Sequence, residues 1–144
     1  MKTTVLFICV HNSARSQMAE AYLKMFGGNK FEVESAGIES GKLDPSAIEA
    51  MKLDGIDISN NQTKDVFNFF KEGKLFSYVI TVCDKKAAEQ CPIFPGIVKI
   101  IHWPFEDPSQ FTGTQDEKLQ QTIQVRDQIK QAVKDFVKQV DSEI

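Results

Sequence analysis

The sequence predicts an α/β protein, a four-stranded parallel sheet in the order 2-1-3-4 with helices on both faces. Short apolar runs alternate with stretches of helical periodicity along the whole chain. At 144 residues the chain suits one domain spanning 1–144, with no need for a second core. Two of the apolar runs end directly in cysteine, which puts reactive groups at the carboxyl edge, where sheets of this order bind ligands.

Val5-Leu6-Phe7-Ile8 is an unbroken apolar run and reads as a strand buried on both faces. It leads through Cys9-Val10-His11-Asn12-Ser13-Ala14-Arg15-Ser16 into a helix expected to begin near Gln17, with Ser16 as its N-cap and Met18, Tyr22, Leu23 and Phe26 on one side. Gly27-Gly28-Asn29 ends that helix, and Phe31 to Ala36 alternates as a second strand closed by Gly37. Asp44 as N-cap and Pro45 at the first helical position open a short helix whose apolar side is Ile48, Met51 and Leu53. Residues 56–61 read as a turn, and Thr63 opens a further short helix through Val66, Phe67, Phe69 and Phe70, phenylalanines expected in the core. Tyr78 to Val82 is the third strand, with Cys83 at its end. Residues 84–90 are polar and form at most a loose helix before Cys91-Pro92, and Ile97 to Ile101 is the fourth strand. After a loop at 102–108, Thr114-Gln115-Asp116-Glu117 is a capping box for a long helix with Leu119, Ile123, Val133, Phe136, Val137 and Val140 at near-helical spacing.

A net charge of -3 gives no reason to expect nucleic acid or an anionic membrane as partner, so small anions and proteins are the expected partners. The N-terminal apolar run is too short for a secretion signal or a membrane span, and the protein is expected to be a cytoplasmic monomer. Three cysteines, an odd number without a secretion signal, argue against a structural disulfide framework.

The stretch from Cys9 to Ser16 has the make-up of an oxyanion cradle. A loop wrapping from a strand end onto a helix start turns the backbone N–H groups of Val10, His11, Asn12, Ser13, Ala14, Arg15 and Ser16 toward one point, and the helix dipole adds positive charge there. Arg15 offers a planar fork that takes two oxygens at once. Cys9 lies beneath the anion, where a thiol that ordinarily ionises near ~8.5 falls to ~3.5 to 7.5 and becomes a nucleophile. Cys83, at the end of the neighbouring strand, emerges on the same edge. Adjacent strands lie about 4.8 Å apart and a disulfide spans about 4.4 to 6.8 Å between Cα atoms, so the two cysteines can bridge with modest loop movement. The loop after the fourth strand brings Asp107 over the cradle as a general acid, stiffened by Pro108. His11 either tunes the thiolate or projects outward, and no role is assigned to His102 or Trp103.

Cys9 through Glu20, Ser35-Ala36-Gly37-Ile38-Glu39, Ile56-Asp57-Ile58-Ser59, Val82-Cys83, Cys91-Pro92, and His102-Trp103 with Phe105 and Asp107-Pro108 together resemble the thiol-coupled arsenate reductases built on the low-molecular-weight tyrosine phosphatase fold. The resemblance implies a catalytic set of Cys9, Arg15, Cys83, Cys91 and Asp107. Cys9 attacks arsenate, Cys83 attacks Cys9 and expels arsenite, and Cys91 moves the disulfide to the Cys83 and Cys91 pair for thioredoxin or another thiol donor to reduce. It also implies a potassium ion steadying the cradle, held by Asn12, Glu20, Ser35 and Asp65. The chain departs from the family pattern in Ala14, where a cysteine is common, in His11, where glycine is common, and in the Cys-x7-Cys spacing of Cys83 and Cys91, one residue longer than usual. Two other readings stand beside this one. A phosphatase would use only Cys9, Arg15 and Asp107, with Trp103 and Phe105 stacking on a phenyl ring. A non-catalytic oxyanion sensor would need the cradle and not Asp107.

Overall fold

The first strand, β1 (Thr3–Cys9), shows on its own why the sheet carries two cores. Side chains alternate along a strand, so Val5, Phe7 and Cys9 join one buried cluster while Leu6 and Ile8 join the other. Each such side chain, fully withdrawn from water, contributes about 1.5 to 3 kcal/mol. The computed structural model describes residues 2–39, 41–92, 94–96 and 98–142. Around β1 stand β2 (Phe31–Gly37), β3 (Tyr78–Thr81) and β4 (Lys99–His102), all parallel and in the expected order β2-β1-β3-β4.

On one face pack α1 (Arg15–Gly27), α2 (Pro45–Leu53) and the long α5 (Gln115–Ser142). Thr114 and Glu117 form the expected box at the start of α5, the Glu117 N–H donating to Thr114 Oγ1 at 3.1 Å and the Thr114 N–H to Glu117 Oε1 at 3.4 Å. On the other face α3 (Val66–Lys71) lies over the cluster of Leu6, Ile8, Val79, Phe76 and Phe94. A single turn, α4 (Lys85–Ala88), follows β3. Among the described residues no helix is long and apolar enough to cross a membrane.

Several boundaries differ from the sequence reading, each for a local reason. α1 begins at Arg15 with Ala14 as its N-cap, not at Gln17 with Ser16 capping, because the Ser16 hydroxyl is spent on Cys9. α3 starts at Val66 rather than near Thr63, since Asp65 is the true cap and takes the Phe67 N–H at 2.8 Å. Only Phe69 of its phenylalanines is buried. Phe67 and Phe70 are exposed, as is Leu53 at the end of α2, because helices this short present one narrow face to the sheet. β3 stops at Thr81, with the Val82 N–H still reaching Ile8 O at 2.8 Å. The fourth strand runs from Lys99 to His102 instead of 97–101, Ile97 lying outside the described residues, and as an edge strand it leaves Ile100 exposed.

Candidate active site

The loop between β1 and α1 closes on itself because its carbonyls are claimed from outside. Cys9 O accepts from the Ile38 N–H at 3.1 Å, Val10 O from Glu39 at 2.9 Å, Asn12 O from Gln17 Nε2 at 3.1 Å, Ser13 O from Asp44 at 2.9 Å and Ala14 O from Met18 at 2.9 Å. Among the described residues no peptide bond is cis, so each N–H of the loop points opposite to the carbonyl before it. The amides of Val10, His11, Ser13, Ala14 and Arg15 therefore face the bowl above Cys9. No side chain caps the first turn of α1, which leaves its N–H groups and dipole to an anion.

Asn12 makes the tight curvature. It is fully buried with φ 56, a left-handed conformation that asparagine tolerates better than most residues. Its backbone N–H donates to Cys9 Sγ at 3.1 Å. Its Nδ2 donates to Ser16 Oγ at 2.7 Å and Ser35 Oγ at 2.9 Å, while Oδ1 accepts from Gln17 Nε2 at 3.0 Å and the Lys64 N–H at 2.9 Å. With Asn12 filling a lone pair of Ser16, the Ser16 hydroxyl proton is free to point at Cys9 Sγ, 2.9 Å away. The sulfur is 2% exposed and is held by two donors in a fixed direction. The last residue of β2 presses against this loop. A Cβ on Gly37 would stand 2.7 Å from the His11 carbonyl carbon and 2.8 Å from Asn12 N, so only glycine lets the strand end and the cradle meet.

Arg15 lies at the rim, where Nη1 donates to Phe105 O at 3.1 Å and Nη2 stands 3.4 Å from Asp107 Oδ2. Asp107 is fixed from the other side, its Oδ1 accepting from the Ser109 N–H at 3.0 Å and the Ser109 hydroxyl at 2.8 Å. The expected acid and the expected anion clamp are thus brought together. His11 projects outward, with Nε2 3.2 Å from Glu39 Oε2 at the mouth. Trp103 is spent on packing, its ring 6.1 Å from Phe7, 6.0 Å from Phe136 and 6.3 Å from Phe105. That removes the stacking role a phosphatase reading would give to Trp103.

The other two cysteines follow β3. Cys83 is fully buried, and burial pushes its thiol up to about 11, with Arg15 pulling it down and Cys9 pushing with the burial. Burial likewise pushes Cys91 up to about 11, and there the neighbouring charge is Cys83. Cys91 is half-buried, its Sγ donating to Pro92 O at 3.3 Å, and it lines a mostly apolar groove of about 470 Å³ together with Val79, Phe94, Val98 and His102. No disulfide joins the three thiols, so the structure is of the reduced chain.

Of the four residues expected around a potassium ion, Asn12, Ser35 and Glu20 form one chain, the Ser35 hydroxyl accepting from Asn12 and donating to Glu20 Oε1. Asp65 is placed otherwise, with Oδ1 capping α3. The sequence reading missed two participants. Gln17, fully buried in the first turn of α1, donates to both oxygens of Asn12, and Lys64 reaches Asn12 through its backbone. A glutamine directly after Arg15-Ser16, where a solvent-facing side chain is the norm, was the only signal for the first. Lys64 had none.

Residues 4–144 match the family of low molecular weight phosphotyrosine protein phosphatases. An arsenate reductase of Bacillus subtilis (strain 168) is 44% identical over 134 residues, covering 92% of this chain and 93% of that protein. A solved structure, an arsenate reductase in oxidized state, has a TM-score of 0.81 at 32% identity and covers 97% of this chain and 99% of its own. The thioredoxin-dependent arsenate reductase of Corynebacterium glutamicum has a TM-score of 0.65 at 26% identity over 92% of this chain and 62% of that one. Likeness of this extent, over nearly the full length of the chain and in the same fold, makes the protein a member of the low molecular weight phosphotyrosine protein phosphatase family and, within it, of the arsenate reductases.

Proposed function

We propose that the protein reduces arsenate to arsenite through a relay of Cys9, Cys83 and Cys91, recharged by thioredoxin. The observation that supports the relay is a second thiol, Cys83, fully buried just past the end of β3, the strand that pairs in parallel with the one ending in Cys9. Phosphate-ester hydrolysis has no use for it.

The steps follow from the positions. Arsenate enters the bowl, where the inward amides and Arg15 hold its oxygens, and Asp107 exchanges its contact with Arg15 for one with an arsenate hydroxyl. Cys9 Sγ attacks arsenic as the thiolate, and one arsenate hydroxyl takes a proton from Asp107 and leaves as water. Cys83 loses its proton and attacks Cys9 Sγ. The sulfur–arsenic bond breaks with its electron pair left on arsenic, which departs as arsenite, and a Cys9–Cys83 disulfide remains. Cys91 then attacks Cys83 and releases the Cys9 thiolate, leaving a Cys83–Cys91 disulfide on the segment around α4. A dithiol donor reduces that bond and restores the resting enzyme. The thioredoxin dependence of the Corynebacterium glutamicum arsenate reductase supports thioredoxin as that donor.

Disulfide mapping by mass spectrometry after a single arsenate turnover without reductant tests the relay. The expected product is a Cys83–Cys91 bond, and in Cys91→Ser a trapped Cys9–Cys83 bond. Cys83→Ser is expected to abolish arsenate reduction while leaving weak hydrolysis of an aryl phosphate. An enzyme that turns over arsenate with all three thiols still reduced, or a Cys83→Ser variant with unchanged arsenate reduction, would overturn it.

A further inference from the structure

Glu20 is a buried carboxylate, 6% exposed, directly behind the cradle and coupled to it through Ser35 and Asn12. A buried anion in this position needs a positive partner. The resemblance to the reductases supplies a potassium ion held by Asn12, Glu20, Ser35 and Asp65, but the side chains here are arranged for a different cation. Asn12 directs its amide nitrogen, not its oxygen, to Ser16 and Ser35, and its oxygen is committed to Gln17 and the Lys64 N–H. The Ser35 hydroxyl accepts from Asn12 and gives its proton to Glu20. Asp65 caps α3. Among the described residues no three His, Cys, Asp or Glu side chains gather as a metal site. Two ammonium groups meet Glu20 instead, Lys24 Nζ on Oε2 at 2.5 Å and Lys64 Nζ on Oε1 at 3.4 Å. Lys24 is the more exposed of the two, and Lys64 is the one tied to the cradle.

Lys64 touches the loop and the two elements beside it. Its N–H donates to Asn12 Oδ1 at 2.9 Å, its carbonyl accepts from the Gly37 N–H at 2.7 Å, and its ammonium faces the same Glu20 oxygen that Ser35 contacts. We infer that Lys64 is a positioning residue whose ammonium acts as a tethered cation behind the oxyanion cradle, in place of a bound alkali ion, so that this enzyme does not respond to potassium. A metal cation added at Glu20 would stand close to both ammonium groups already there and be repelled by them. The charge that orients Ser35 and Asn12 is therefore carried by the chain itself.

The test uses reduced full-length protein and does not depend on arsenate turnover. Thermal midpoint and inorganic phosphate affinity by calorimetry are compared in potassium chloride and choline chloride at equal ionic strength, for wild type, Lys64→Met and Lys24→Met. Wild type and Lys24→Met are expected to behave alike in the two salts. In choline, Lys64→Met is expected to lose about 4 °C or more in midpoint and to bind phosphate about fivefold or more weakly, and potassium is expected to restore most of both. Lys64→Met keeps the backbone contacts, so the loss reports the ammonium. Adding Glu20→Gln to Lys64→Met removes the demand for a cation and is expected to abolish the potassium response. The inference is overturned if wild type gains stability or affinity in potassium, if Lys64→Met matches wild type in choline, or if its losses are not rescued by potassium. Each of these leaves the thiol relay untouched, whereas a failed relay in disulfide mapping leaves these salt responses as they are.

Discussion

Around Cys9 the backbone is tied down from every side, whereas between Cys83 and Cys91 it is held by one helical turn and the partial packing of Ala87 and Ala88. Asn12 alone has its N–H, both side-chain polar atoms and its carbonyl committed, and the neighbouring carbonyls are bonded to the segment after β2, to the N-cap of α2 and within α1. From Asp84 to Cys91 the bonds are local, Ala88 N–H to Asp84 O at 3.0 Å, Gln90 to Ala87 O at 3.1 Å and Cys91 to Ala88 O at 3.1 Å, with Asp84, Lys86, Glu89 and Gln90 exposed. The difference teaches how one small domain serves two opposed demands. An anion is held well by a site that does not move. A thiol that must first reach one cysteine and then accept another is better placed on backbone with few apolar contacts to lose.

Removing the nucleophile breaks the comparison at its rigid end and carries the largest effect. Cys9→Ser is expected to lower arsenate turnover by about 10⁴-fold or more, measured as arsenite formed, with the fold intact. Next comes Asn12→Ala, which strips the buried bonds of the cradle and leaves alanine in a left-handed conformation. It is expected to cost about 3 kcal/mol in urea denaturation and to weaken phosphate binding, and a loss under 1 kcal/mol would show the cradle less tightly tied than its bonds imply. The more lightly bonded end is probed by pH. Because Cys83 and Cys91 are pushed to about 11, their thiolate fractions rise about tenfold per unit at neutral pH, and disulfide formation after arsenate binding, followed by rapid quench, is expected to accelerate from pH 7 to 9. Stability moves the other way. From about 9, the ordinary thiol value, to about 11 the unfolded chain releases protons that the folded thiols retain, so unfolding becomes easier as pH rises through that window. The smallest effect belongs to Gln90→Ala, an exposed side chain on the segment, expected to change stability by less than about 0.5 kcal/mol. A cost approaching that of Asn12→Ala would erase the contrast between the two regions.

Much of this was readable in the chain. The apolar run of β1, the Asp44-Pro45 start of α2 and the Thr114 to Glu117 box all announce themselves in local sequence, and strand order followed from their alternation with helices. The misreadings share a cause, since a polar side chain near a helix start can cap it or be drawn elsewhere. Ser16 looked like a cap and serves Cys9, while the cap of the next helix but one is Asp65 and not Thr63. Phe67 and Phe70 belong to a periodic pattern yet remain exposed, because a helix as short as α3 touches the sheet along one narrow face.

By itself the sequence determined the sheet and the cradle with its Cys9 and Arg15, because both rest on runs and spacings that neighbouring residues enforce. Only the tertiary structure decided that Lys64, far along the chain, faces Glu20, that Gly37 must lack a side chain, and that Trp103 packs against Phe7 and Phe136. Those relations depend on where separate elements meet in space, and charge, size and burial at such meetings leave no periodic trace in the order of residues.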